Sequence, residues 1–335
     1  MLPKGIIFSI SGYELTRQES EFFSETNPLG FVLFTRNFKN KEQLKKLIKN
    51  LKSVTKNKTL LIFVDQEGGR VQRFSGNGFS KFPSQSIFGD IYNKNEELSK
   101  ELSYLMSYLL ATELKNVGVD VNFSPVCDLY FEYADSIIGD RSFHSNANVV
   151  LNLTKEYCKG LRDGGIIPVL KHFPGHGRSL QDTHKQASTI NINYKELEVT
   201  DLVPFQNLKN QSLLMLAHII YPKIDKVVAT YSKKINQIIR DKFAFNGLII
   251  TDDISMNALK EKIEIVTINS INAGCDIILY CSGVLDEMKR IYPLSKNLKK
   301  LYYQYFKDDM LKNKPDLSNI SKATDVLSSH GLLKE

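Results

Sequence analysis

Cysteine is scarce in this chain and irregularly placed. Cys127, Cys158, Cys275 and Cys281 are the only four in 335 residues, with no C-x-x-C pair and no pairing pattern. That excludes a disulfide framework and predicts reduced, mostly buried thiols in a cytoplasmic protein. Long apolar runs are missing as well. None approaches the roughly 20 residues of a membrane span, and the apolar stretch within MLPKGIIFSISGYELTRQES is broken by Ser and Gly too soon for a secretory leader. No membrane partner is expected. The excess of positive charge is small for this length, +7, and reads as a Lys-rich solvated surface. Residues 286–313 interleave basic and aromatic side chains, yet they fit an amphipathic helix packing Leu and Tyr inward better than a nucleic-acid surface. No nucleic-acid partner is expected either.

Eight short apolar runs are present instead. They are GIIFSIS (5–11), GFVLF (30–34), LLIFV (60–64), VDVNFSP (119–125), IIPVLK (166–171), LLMLAH (213–218), GLIIT (247–251) and CDIILY (275–280). Continuous apolar runs suit parallel strands covered on both faces. The connectors between most of them are long and helical in period; 98–118 and 147–165 are two clear examples, and the latter ends at glycines. Eight such units predict an α/β fold, a single (β/α)8 TIM-type barrel with its site at the C-terminal ends of the strands. A doubly wound open sheet is the competitor, and it rarely needs eight such strands. One domain is expected over 1–335, with a barrel core of about 5–285 and a helical extension of about 286–335.

Charged residues collect where these runs stop. After the third come Asp65, Glu67, Arg70 and Arg73; after the fourth, Asp128 and a long loop to Arg141; after the sixth, His218; after the seventh, Asp252 and Asp253. A barrel brings all of these ends to one face. The densest stretch comes after the fifth run, where KHFPGHG (171–177) leads to Asp182-Thr183-His184 and three of the six histidines lie within thirteen residues. Proline and two glycines forbid regular structure there. In an extended segment Asp182 and His184 point the same way, so the carboxylate can fix the imidazole tautomer and leave its other nitrogen free to move a proton.

Carboxylates at Asp65, Asp182, Asp252 and Asp253, with cations at Arg73, Arg141 and Lys171, suit a sugar pocket and glycoside hydrolysis. Asp252, rigid at a strand tip, has the placement a nucleophile needs. Asp253 is expected instead to cap the next helix. A metal site from His172, His176, His184 and an Asp is the rival reading, although Pro174 and Gly175 prevent an i, i+4 helical pair.

DQEGGRVQR (65–73), IGDRSFH (138–144), KHFPGHG (171–177) with DTH (182–184), and TDDISM (251–256) resemble the signature segments of family 3 glycoside hydrolases, in their bacterial β-N-acetylhexosaminidase branch of peptidoglycan recycling. GFVLFTRN (30–37) and AGCDIILYC (273–281) fit too, and the resemblance runs from about residue 5 to 285. It implies Asp252 as nucleophile, His184 as acid/base with Asp182 as its partner, and Asp65, Arg73, Arg141, Lys171 and His172 on the sugar. It also implies a retaining exo-β-N-acetylglucosaminidase acting on muropeptides, with no metal or organic cofactor. A small carbohydrate is then the expected partner and a monomer the expected state. The chain ends too soon for the second domain that related glucosidases use, which agrees with a histidine acid on the barrel's own loop. Two segments depart from the family pattern, Arg178-Ser179-Leu180 and VVATYS (227–232). A sugar-binding barrel without catalysis is the alternative of another class; Asp252 together with Asp182–His184 argues against it.

Overall fold

A computed structural model describes residues 2–181, 188–207 and 211–333. Eight parallel strands form its centre: β1 Lys4–Phe8, β2 Pro28–Leu33, β3 Leu61–Val64, β4 Val121–Asn122, β5 in two halves (Ile167–Pro168 and Leu170–Phe173), β6 Leu213–Leu216, β7 Leu248–Asp253 and β8 Ile277–Leu279. Each strand pairs with the next, and β8 returns to β1, Ile6 facing Ile278. The split in β5 closes the ring. Its first half pairs with β4 and its second with β6, on either side of Val169. The expected (β/α)8 barrel is therefore present, and the open doubly wound sheet is excluded.

Side-chain alternation explains why these strands had to be apolar throughout. Ile7, Val32, Phe63, Val121, Val169, Met215 and Ile250 pack together inside the barrel. Their neighbours Ile6, Phe8, Phe31, Leu33, Ile62 and Val64 point outward into a second apolar layer. Both layers are closed to water, as parallel strands under helices require.

The covering helices are α1 Arg17–Ser24, α2 Lys41–Val54, α3 Ser86–Tyr92, α4 Glu96–Val117, α5 Ala147–Asp163, α6 Tyr194–Glu198, α7 Val203–Asn207, α8 Lys233–Gln237, α9 Ile263–Ala273 and α10 Leu285–Ile291. Their ends carry local signals. Thr16 caps α1 through a reciprocal pair of bonds with Glu19, Glu19 N to Thr16 Oγ1 at 3.1 Å and Thr16 N to Glu19 Oε2 at 2.8 Å. Helix α4 stops at Gly118, whose φ of 98° is the left-handed conformation that glycine adopts without penalty.

Two further helices, α11 Lys300–Lys312 and α12 Ile320–Ser329, follow. The segment before α11 is tied to β1, Gly5 N donating to Lys296 O and Leu298 N to Pro3 O. Leu298, Tyr303 and Phe306 enter the interior layer and close the N-terminal end of the barrel. The expected inward Leu and Tyr are present in part, as Leu298 just before α11 and Tyr303 within it. Tyr303, Phe306 and Met310 lie at helical spacing on the barrel side, whereas Leu301 and Leu311 are 71% and 70% exposed.

Candidate active site

The opposite end holds a cavity of about 240 Å³ whose walls include Asp65, Arg73, Arg141, Lys171, His172 and Asp252. Six residues singled out in the sequence thus share one space, each delivered by the end of a strand or the loop after it. Phe34, Met215, Met256, Leu279 and Cys281 supply an apolar part of the wall.

An ion cluster forms one side. Lys171 Nζ lies 2.7 Å from Asp65 Oδ1 and 2.6 Å from Glu67 Oε1. Arg73 reaches Asp65 Oδ2 at 3.3 Å. Arg141 grips Glu67 with both ends of its guanidinium, Nε to Oε2 at 2.8 Å and Nη2 to Oε1 at 2.9 Å. Such a bidentate pair fixes orientation as well as charge. Burial by itself would raise the Asp65 and Glu67 carboxyls. The cations outweigh it, Lys171 and Arg73 for Asp65, Arg141 and Lys171 for Glu67, so both sit below the ordinary carboxylate range. Both oxygens of Glu67 are thereby occupied. The loop carrying these groups is folded around buried Gln66, whose side chain accepts from the Arg73 and Phe74 N–H groups and donates to Phe74 O.

A second cluster surrounds His172. Asp128, fully buried, accepts from His172 Nδ1 at 2.7 Å and from the His176 backbone N–H at 2.6 Å. The His172 and His176 rings meet edge-on with centroids 5.6 Å apart. Burial, then the neighbouring His172, pushes His176 down to about 4, so it is neutral near pH 7.

Asp252 lies at the tip of β7. Burial tends to raise its carboxyl, but His172 and then His218 pull it below its ordinary value. Its Oδ1 accepts from the Asp253 N–H at 2.8 Å. Asp253 has a different task. It accepts from the N–H groups of Ser255 at 3.0 Å and Cys281 at 3.1 Å and from Ser255 Oγ at 2.6 Å. It therefore caps a turn rather than the expected helix, since α9 begins only at Ile263. His218, buried, joins its Nε2 to Asp253 O at 3.0 Å and its Nδ1 to Thr230 Oγ1 at 2.7 Å. Burial lowers its pKa. A carbonyl only accepts, so Nε2 carries a proton.

Asp182 and His184 lie outside the described residues, as does Thr183. The stem before them is well anchored. Gly177 runs against the next loop so closely that a Cβ would sit 1.8 Å from Leu129 O. Arg178 pairs with buried Asp201 at 2.9 Å and stacks over Phe131, while Ser179 Oγ donates to Ser188 Oγ at 2.7 Å. Both departures from the family pattern therefore have structural partners: Arg178 and Ser179 tie the stem, and Thr230 of VVATYS supports His218.

Glu67, Asp128 and His218 were the participants that motif reading passed over or ranked low. Their only signal was position after an apolar run. Among the described residues no three His, Cys, Asp or Glu side chains gather as a metal-binding group.

Paired carboxylates and cations in the mouth of a (β/α)8 barrel define a carbohydrate-active hydrolase. Residues 8–310 match the model of the glycosyl hydrolase family 3 N-terminal domain. The chain belongs to family 3 of the glycosyl hydrolases, in its β-N-acetylhexosaminidase branch. A β-hexosaminidase of Nitrosomonas eutropha is 39% identical over 282 residues, covering 83% of this chain and 80% of its own. One from Neisseria meningitidis is 37% identical over 309 residues, covering 88% and 84%. The crystal structure of NagZ from Neisseria gonorrhoeae with N-trifluoroacetyl-D-glucosamine superposes with a TM-score of 0.85 at 32% identity, covering 99% of this chain and 96% of that one.

Proposed function

We propose that this protein is a retaining exo-β-N-acetylglucosaminidase that removes terminal GlcNAc from muropeptides in the cytoplasm, GlcNAc on anhydro-muramic acid being the natural unit. The observation that supports this best is Asp252, a carboxylate at a strand tip in the cavity wall, drawn below its ordinary pKa by His172 and His218. Ionised, it can attack the anomeric carbon and form a glycosyl ester. His184, oriented by Asp182, would protonate the departing oxygen and then take the proton of the water that opens the ester. Asp65, Arg73, Arg141, Lys171 and His172 would bind the sugar hydroxyls. Their mutual ion pairs hold the donors and acceptors in place before the sugar arrives, which reduces the ordering cost of binding. No metal or organic cofactor enters the reaction, and a monomer suffices for it. The N-trifluoroacetyl-D-glucosamine bound by the Neisseria gonorrhoeae NagZ supports the choice of GlcNAc.

A 5-fluoro glycosyl donor tests the nucleophile: the label should appear on the peptide containing Asp252, and a label on Asp65 would overturn the assignment. The acid is tested through the leaving group. His184→Ala should spare nitrophenyl glycosides and slow natural disaccharides by something like 10²–10⁴-fold, with azide accelerating turnover of the trapped intermediate. Equal slowing of both substrates, with no effect of azide, would reduce His184 to a binding residue.

A further inference from the structure

Asp128 takes no part in the reaction as proposed, yet it is among the most enclosed charges in the molecule. Its residue is 1% exposed, and among the described residues neither lysine nor arginine pairs with it. An ionised carboxylate is costly to bury unless its oxygens are satisfied. Here they are satisfied by one short stretch of chain. Oδ2 receives His172 Nδ1 at 2.7 Å; the His172 backbone N–H lies 3.2 and 3.3 Å from the two oxygens; and Oδ1 receives the His176 N–H at 2.6 Å. The Asp128 carbonyl is engaged too, accepting from Ser142 Oγ at 2.6 Å, next to Arg141. One residue therefore joins the loop after β4 to the His172–His176 turn after β5.

The chemistry of the contact is specific. An ionised carboxylate only accepts, so His172 Nδ1 must carry a proton. The ring's other nitrogen, Nε2, then faces away from Asp128, and His172 lines the cavity that Asp252 shares. We infer that Asp128 is a positioning residue for glycoside cleavage: it sets the tautomer and orientation of His172, and through it the face presented to substrate and to Asp252. The inference rests on the proposed reaction only for its activity readout.

Asp128→Asn keeps the size and can still accept the backbone N–H groups, but its amide hydrogens oppose the Nδ1 proton and shift it to Nε2. For a chromogenic GlcNAc glycoside, kcat/KM should fall by roughly 10²-fold, between the losses typical of orienting partners of metal-bound and of catalytic histidines. In a His172→Ala background the same substitution should cost nothing further, because the two residues act as a unit. A second loss of the same size in that background would overturn the inference, since Asp128 would then act without His172. Wild-type protein labelled with ¹⁵N-histidine keeps the test independent of whether the variant folds. His172 Nδ1 should be protonated in the resting enzyme, and a bare Nδ1 there would sink the idea. That spectrum needs no turnover, so failure of the Asp252 assignment would leave it untouched.

Discussion

The two ends of the barrel are built from the same eight strands and closed in opposite ways. At the N-terminal end Leu298, Tyr303 and Phe306 fill the interior with apolar surface. At the C-terminal end the space is walled by Asp65, Lys171, Arg141 and their partners, which pair charge with charge. Apolar burial contributes about 25 cal/mol per Å² and asks little of geometry. Buried ion pairs contribute little net stability, because desolvation offsets the attraction, but they fix direction. Stability should therefore depend on the plugged end and chemistry on the open one.

The sharpest test removes chemistry alone. Asp252→Asn should lower kcat on the order of 10⁴-fold or more while the melting temperature stays near wild type, because the amide conserves volume. Retention of a tenth of the turnover would deny Asp252 its role and blur the contrast between the ends.

The converse change strikes the plug. Phe306 is fully buried, and Phe306→Ala should cost about 3–5 kcal/mol in chemical denaturation, with kcat of the folded enzyme unchanged. A large loss of kcat without loss of stability would mean that the floor shapes the site.

Acid should separate the mouth's groups by sign and window. His176 lies near 4 when folded against 6.5 ordinarily, so the unfolded chain takes up the proton first. Above about 6.5 there is no penalty; from there down to about 4 destabilisation accrues, to at most about 3 kcal/mol. His218, also lowered by burial, adds in the same direction. Asp65 and Glu67 are held below 3.8 and 4.5, so what they contribute is present above that range and is lost as pH falls through their folded values. Denaturation midpoints measured from pH 8 to 3 should fall in two limbs. His176→Asn should flatten the upper limb and Glu67→Gln the lower. A midpoint constant between pH 7 and 4.5 would contradict the first.

The smallest expected effect is none. Exhaustive chelation should leave both turnover and melting temperature unchanged. If it abolished activity and zinc restored it, the histidines of the mouth would belong to a metal site instead.

How much of this could be read beforehand depended on range along the chain. The eight apolar runs were legible because a strand covered on both faces excludes polar residues, and the glycine stop after α5 because the left-handed backbone at Gly165 favours glycine. Six cavity residues were legible as charges or ring nitrogens that come after apolar runs and would otherwise have no place there. The inward face of α11 was only half legible: its period was visible, but which stripe met the barrel was not, and Tyr303 faces in while Leu301 and Leu311 face out.

By itself the sequence determined the strands, the helix stops and the chemistry stationed at each strand end, all of which arise from side-chain polarity and backbone preference over a few residues. Pairing was decided only by the tertiary structure. Glu67 meets Arg141 across 74 residues, Asp128 meets His172 across 44, and His218 meets Asp253 across 35. Nothing local distinguishes Glu67 from another surface glutamate, or Asp128 from a helix cap. Coulomb energy and hydrogen bonding fall off within a few ångströms, and those distances exist only once the split fifth strand has closed the barrel and brought every strand end to one mouth.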